Sequence, residues 1–180
     1  MNKLYSDAVI KRGHLVGFIS TAFLMSAALY FENYMFLDPC MLCILQRVAT
    51  TLTGVFFLSS YISFSRSTRI YKISLVLLLL SISFGLYLTT KHVYIQGLPP
   101  ELVPVCGPGL AYLSNVLPLW ELITVMLQGD GNCAEVSWSF FGRTMPWWLR
   151  VWFVGFAVGW VLAVINLLKG EREPKAKPRT

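Results

Sequence analysis

The chain has 180 residues, 56% of them hydrophobic and only 13% charged, with a mean hydropathy of +0.60. A water-facing globule carries about 25% charged residues, so this composition points to a lipid bilayer as the solvent. The net charge of +6 does not make nucleic acid an expected partner, because the basic residues cluster between apolar segments, which is a topology signal. The expectation is a single membrane domain over residues 1–180, of the all-α class: a four-helix transmembrane bundle with two outer loops, the second containing a short membrane-surface helix.

In chain order, the first span is expected at residues 15–31, which hold no charge. No small-x-small cleavage site follows and three more spans come after it, so it reads as an uncleaved anchor. An outer loop over 32–41 leads to Asp38-Pro39-Cys40-Met41-Leu42-Cys43, where the second span (42–64) begins. Pro39 favours entry into a helix, which puts Cys43 in the first turn, where free backbone N–H groups and the helix dipole favour a thiolate. Arg47, four residues on, lies on the same face. An arginine inside a span is costly and is usually functional or paired, and a thiolate at Cys43 or an anionic cofactor species would be its partner. Snorkelling to the headgroups is the plainer reading of Arg47.

A link carrying Arg66, Arg69 and Lys72 leads to the third span, expected at 73–90, and then to a long outer loop over 91–145. Prolines 99, 100, 104 and 108 with glycines 97, 107 and 109 argue against regular structure around Cys106. Residues 118–128 predict a short helix, apolar almost all round, suited to the membrane surface and ending at Gly129-Asp130-Gly131. Cys106 and Cys133, taken alone, read as an ordinary structural disulfide. The fourth span (146–168) opens with Pro146 and the interfacial Trp147 and Trp148. Gly155 and Gly159 form a small-xxx-small pair to which no function attaches. A polar tail over 169–180 is expected to be disordered.

Three segments that an even number of spans puts on one side carry eleven of the fifteen basic residues, and by the positive-inside rule that side is cytoplasmic. Six of the nine acids fall opposite, and so do Cys40, Cys43, Cys106 and Cys133. An oxidising outer compartment lets disulfides persist there. No metal is expected: the second cysteine pair lacks Cys-x-x-Cys spacing, Ile44 stands where a c-type haem needs histidine, and His14 and His92 fall on opposite faces. With two pairs on one face, thiol exchange can run from a soluble partner through the loop pair to the pair at the membrane.

Cys40-Met41-Leu42-Cys43-Ile44 with Arg47, and Gly131-Asn132-Cys133-Ala134-Glu135 followed by Trp138 and Met145-Pro146-Trp147-Trp148-Leu149, resemble the DsbB family over essentially the whole chain. That resemblance implies a bacterial inner-membrane thiol:quinone oxidoreductase that reoxidises a periplasmic DsbA-like thioredoxin-fold protein, with both termini cytoplasmic and all four cysteines periplasmic. It implies that Cys106 forms the mixed disulfide with the partner, that Cys133 is its loop mate and attacks Cys40, and that Cys43 is the thiolate facing ubiquinone or menaquinone. It assigns Arg47 to thiolate and quinone charge, and His92 to the quinone's neighbourhood, with Gln96 a weaker candidate there. Gln46 departs from the family, where acidic residues are common. The alternatives are a vitamin K epoxide reductase-like quinone reductase, whose Cys-x-x-Cys opens a later span, and a structural membrane protein with inert disulfides. Four cysteines allow three full pairings, so the resting connectivity stays open.

Overall fold

A computed structural model describes residues 2–107 and 110–172. Four long helices make the bundle: α1 (Asn2–Met35), α2 (Met41–Ser63), α3 (Thr68–Gln96) and α6 (Met145–Arg172). Each contains a stretch long and apolar enough to cross a membrane. Between α3 and α6 lie a 3-10 turn (Pro100–Leu102), α4 (Leu110–Val116), α5 (Leu119–Gln128), a second 3-10 turn (Gly131–Ala134) and a hairpin of β1 (Ser139–Phe140) with β2 (Arg143–Thr144).

The helices run past the uncharged stretches that announced them. Glu32 belongs to α1 instead of a loop, and His92 and Gln96 belong to the last turns of α3. Charge does not stop a helix at the interface; Pro and positive-φ residues do. The stop of α1 falls at Phe36 (φ 52°), ahead of Pro39, and that of α3 at Gly97, ahead of Pro99. The expected surface helix is α5, with Pro118 as its N-cap residue, and α4 precedes it unannounced. Part of the tail expected to be disordered continues α6 as far as Arg172; residues 173–180 lie outside the described residues.

Inside the bundle, hydroxyls turn back on the helix that carries them, as a bilayer interior requires. Thr50 donates to the Gln46 carbonyl and Thr53 to that of Ala49, each at 2.8 Å. Between helices, Thr53 meets Ser81 at 3.1 Å and Ser59 meets Ser74 at 2.8 Å. Such bonds in membranes contribute about 1 kcal/mol each, so packing carries most of the α2–α3 contact. Phe153 of α6 fits against Gly85 of α3 so closely that a Cβ there would lie 2.2 Å from its ring. Trp160 then donates to the Leu75 carbonyl at 2.7 Å, fixing α6 along α3.

The two ends of the bundle differ. At one, Lys11 reaches Ser65 and the face of Tyr61, and His14 meets the Tyr71 hydroxyl at 3.1 Å. At the other, residues of α1, α2, α3, α6 and the segment after Gly131 line one cavity beside Cys40 and Cys43.

Candidate functional site

Cys40 is the N-cap of α2 in extended conformation, which leaves its Sγ free to accept the Cys43 backbone N–H at 3.4 Å. Cys43 falls in the first turn, and the two sulfurs lie 3.0 Å apart, ready to close a disulfide. Sequence spacing alone puts this pair together.

Cys133 arrives from far along the chain. Lys91 donates to the Leu127 carbonyl at 2.6 Å and so holds the end of α5 on α3. The chain then reverses at Gly129, whose φ of +75° suits glycine and whose missing Cβ leaves room for Ile95 and Leu42. The following 3-10 turn buries Cys133 completely, with its thiol hydrogen-bonded to Cys40 and within 3.3 Å of an Asp130 carboxylate oxygen. Cys106 is exposed, and its sulfur passes over the same turn, 2.8 Å from where a Cβ on Gly131 would stand. Thus Gly131 lets the Cys106 segment lie against the turn that carries Cys133.

The bond with Cys133 pulls the Cys40 thiol down, but the bond it donates to Cys43, burial and the charge on Cys43 together outweigh it and push it up to about 12. The Cys133 thiol is also pushed up, first by its bond to Cys40, then by burial and by charge on Cys40. Both sulfurs therefore rest as thiols and become strongly basic nucleophiles when freed as thiolates.

A cavity of about 580 Å³ opens beside the pair, between α1, α2 and α6. Phe31, Trp138, Trp148 and Trp152 supply flat apolar walls, while Arg47, His92 and Gln96 supply polar groups. Phe23 of α1, also in the lining, is exposed. The flat apolar walls with a few polar groups suit a flat aromatic ligand that carries hydrogen-bond acceptors.

Among the expected site residues, Cys40, Cys43, Cys133 and His92 form one cluster, Arg47 and Gln96 line the cavity, and Cys106 stands outside. Arg47 has a charge partner besides Cys43, which lies within reach of its field. Its guanidinium is paired with Glu32 of α1 and reaches the Ala28 carbonyl at 3.4 Å. The pairing depends on the angle between α1 and α2, which the sequence does not display. Gln96 is held by Thr144 of β2 at 2.7 Å. Sequence reading passed over Glu32, Asp130 and the role of Gln46. A glutamine within a span carries the signal of an intramembrane polar residue, and Gln46 is buried.

Cys40, Cys43 and His92 present donor atoms within 4.8 Å of one another, a grouping that soft metals favour. Both ring nitrogens of His92 are already committed, one to Gln46 and one to the Cys133 carbonyl.

Residues 11–163 match the family described as disulfide bond formation protein DsbB. A disulfide bond formation protein B from Hahella chejuensis is 38% identical over 83% of this chain and 90% of its own length. One from Methylococcus capsulatus is 40% identical over 78% and 85%, and one from Xanthomonas oryzae pv. oryzae 36% over 83% and 86%.

Proposed function

The chain belongs to the DsbB family of disulfide bond formation proteins, and from that membership we propose how its four cysteines divide the work. The activity is that of a membrane thiol:quinone oxidoreductase that reoxidises a DsbA-type thiol oxidase, in a multi-pass inner-membrane protein. Neither a vitamin K epoxide reductase-like enzyme nor an inert scaffold is favoured.

The reading begins with disulfides Cys106–Cys133 and Cys40–Cys43. A thiolate of the reduced thioredoxin-fold partner attacks exposed Cys106; a partner–Cys106 bond forms and Cys133 leaves as thiolate. Buried beside Cys40, Cys133 attacks that sulfur, and Cys43 leaves as thiolate. The partner's second thiol then displaces Cys106, releasing the oxidised partner. Cys106 reforms its bond with Cys133 and frees Cys40. One disulfide has entered the partner, and two electrons and two protons now reside on Cys40 and Cys43.

The quinone, as substrate, accepts those electrons and protons and becomes quinol, which restores the Cys40–Cys43 bond. Arg47 supplies positive charge at the cavity wall, where negative charge develops during transfer. Gln96, fixed by Thr144, offers an oriented amide. The aromatic walls exclude water. Ubiquinone and menaquinone both suit such a cavity. The cysteine end of the bundle faces the periplasm and both termini face the cytoplasm.

The single observation that carries this reading is the meeting of Cys133, 93 residues away in sequence, with Cys43's mate Cys40 at the mouth of an apolar cavity. Stopped-flow oxidation of a reduced thioredoxin-fold partner by the detergent-solubilised protein tests it. Oxidation that rises with added quinone is expected; a rate indifferent to quinone would sink the proposal.

A further inference from the structure

A glutamine buried in a membrane span needs partners, and Gln46 has two. Its side-chain Nε2 lies 3.4 Å from the Leu88 carbonyl oxygen and 3.2 Å from His92 Nδ1. A carbonyl oxygen can only accept, so the Leu88 contact fixes which end of the amide faces α3. The nitrogen opposite His92 Nδ1 is therefore a donor, and Nδ1 carries the lone pair. The ring proton sits on Nε2, where the Cys133 carbonyl receives it at 3.1 Å. That carbonyl is also acceptor-only, so the two sides of the ring arrive at one tautomer independently. Cys40 Sγ lies beside the same N–H, 3.8 Å from Nε2.

We propose that Gln46 is a positioning residue for the exchange between Cys133 and Cys40: it fixes His92 as the neutral Nε2–H tautomer, and that N–H holds the Cys133 turn against α3. The inference rests on the reading that these two sulfurs exchange. In the other tautomer, a lone pair on Nε2 would face the Cys133 carbonyl oxygen and the turn would lose its tie. The same tautomer directs the ring's lone pair at Gln46, away from Cys40 and Cys43, so the three-donor grouping lacks a ready nitrogen ligand. Around His92 stand Cys40 and Cys43 of α2 and Cys133 of the turn, Arg47 lines the same cavity, and neighbouring Lys91 is spent on the Leu127 carbonyl.

The test uses ¹⁵N-histidine spectra of the whole protein in detergent, with His92 assigned by difference against His92→Asn, His14 being the only other histidine. His92 is expected to carry its proton on Nε2 at neutral pH. Gln46→Glu places an acceptor opposite Nδ1 and should move a proton onto that nitrogen. Partner oxidation at saturating quinone should fall about ten-fold in Gln46→Leu, which offers Nδ1 no donor, a difference of about 1.4 kcal/mol in barrier. The Glu variant should also gain a step in its rate profile between about pH 6 and 8, where imidazole titrates. A wild-type spectrum with the proton on Nδ1, or a Glu variant whose spectrum and pH profile match the wild type, would overturn the proposal. A wild-type protein that oxidises no partner would overturn the oxidoreductase reading and the positioning role with it, while the nitrogen shifts still decide the tautomer.

Discussion

Cys40 is the sulfur on which everything converges, and its chemistry sets a measurable pH dependence. The reduced, folded protein holds the Cys40 proton more tightly than an unfolded chain, raising the thiol from 9.0 to about 12. The resulting stability is complete below about pH 9 and is lost as pH climbs toward 12. Reactivity follows the same window: iodoacetamide should alkylate Cys40 of the reduced protein slowly at neutral pH, at a rate still rising above pH 9. Mass spectrometry of single time points would show it, and a plateau reached by pH 8 would contradict the environment described. A second expectation concerns Arg47, which pairs with Glu32 and makes a further contact to the Ala28 carbonyl. Arg47→Lys replaces a planar fork with a point charge and cannot serve both contacts, so the KM for quinone should rise several-fold. Glu32→Gln leaves the guanidinium less constrained and should disturb KM less. A Glu32 change more damaging than loss of the guanidinium in Arg47→Gln would place the essential charge on the acid. The third expectation separates the two pairs. Cys106→Ser should leave Cys40 and Cys43 able to react with quinone while partner oxidation fails, and normal partner turnover by that variant would remove Cys106 from its role.

Among the elements, the segment from α5 to the hairpin decides whether the site exists. Gly129 is the hinge of that arrangement. An alanine there must take a left-handed φ of +75° and set its Cβ 3.0 Å from both Ile95 and Leu42. Strain of about 1–2 kcal/mol from the backbone alone is expected. If the turn yields to relieve it, Cys133 moves off Cys40. Gly129→Ala should therefore slow partner oxidation while the helical circular dichroism of the bundle is kept; an unchanged rate would mean that the turn is positioned by something other than Gly129. This part of the fold was the least legible in the sequence. The apolar run from Leu119 to Leu127 announced α5, yet the tie from Lys91 and the pocket for Gly129 come from α3 and α2, and no local pattern reveals them. The hairpin was similarly hidden. Its strands pair only Ser139 with Thr144 and Phe140 with Arg143, around Phe141 and Gly142, both at positive φ. An Asn-Gly turn would have signalled it; Phe-Gly does not.

For the whole molecule, hydropathy made the four spans readable, because a bilayer demands long uninterrupted apolar helices and the chain supplies four. Spacing brought Cys40, Cys43 and Arg47 to one end of α2. It could not reveal that Glu32 of α1 pairs with Arg47 or that His92 meets both Gln46 and Cys133, since each depends on how helices cross. Orientation is the property that belongs to the molecule alone. The end holding Lys11, Ser65 and Tyr71 carries Arg12, Arg66, Arg69 and Lys72 on nearby turns, whereas Glu32, Asp130 and Glu135 lie near the cysteine end. The positive-inside rule supports the proposed orientation, in which the basic end and, with an even number of spans, both termini face the cytoplasm. Two single-cysteine proteins test this, one retaining Cys106 and one carrying Ser65→Cys, both at exposed positions. In spheroplasts, a membrane-impermeant maleimide should label the first directly and the second only after lysis. The reverse pattern would place the cysteine end in the reducing cytoplasm, where glutathione would keep the exchange pairs open and no disulfide could be passed on.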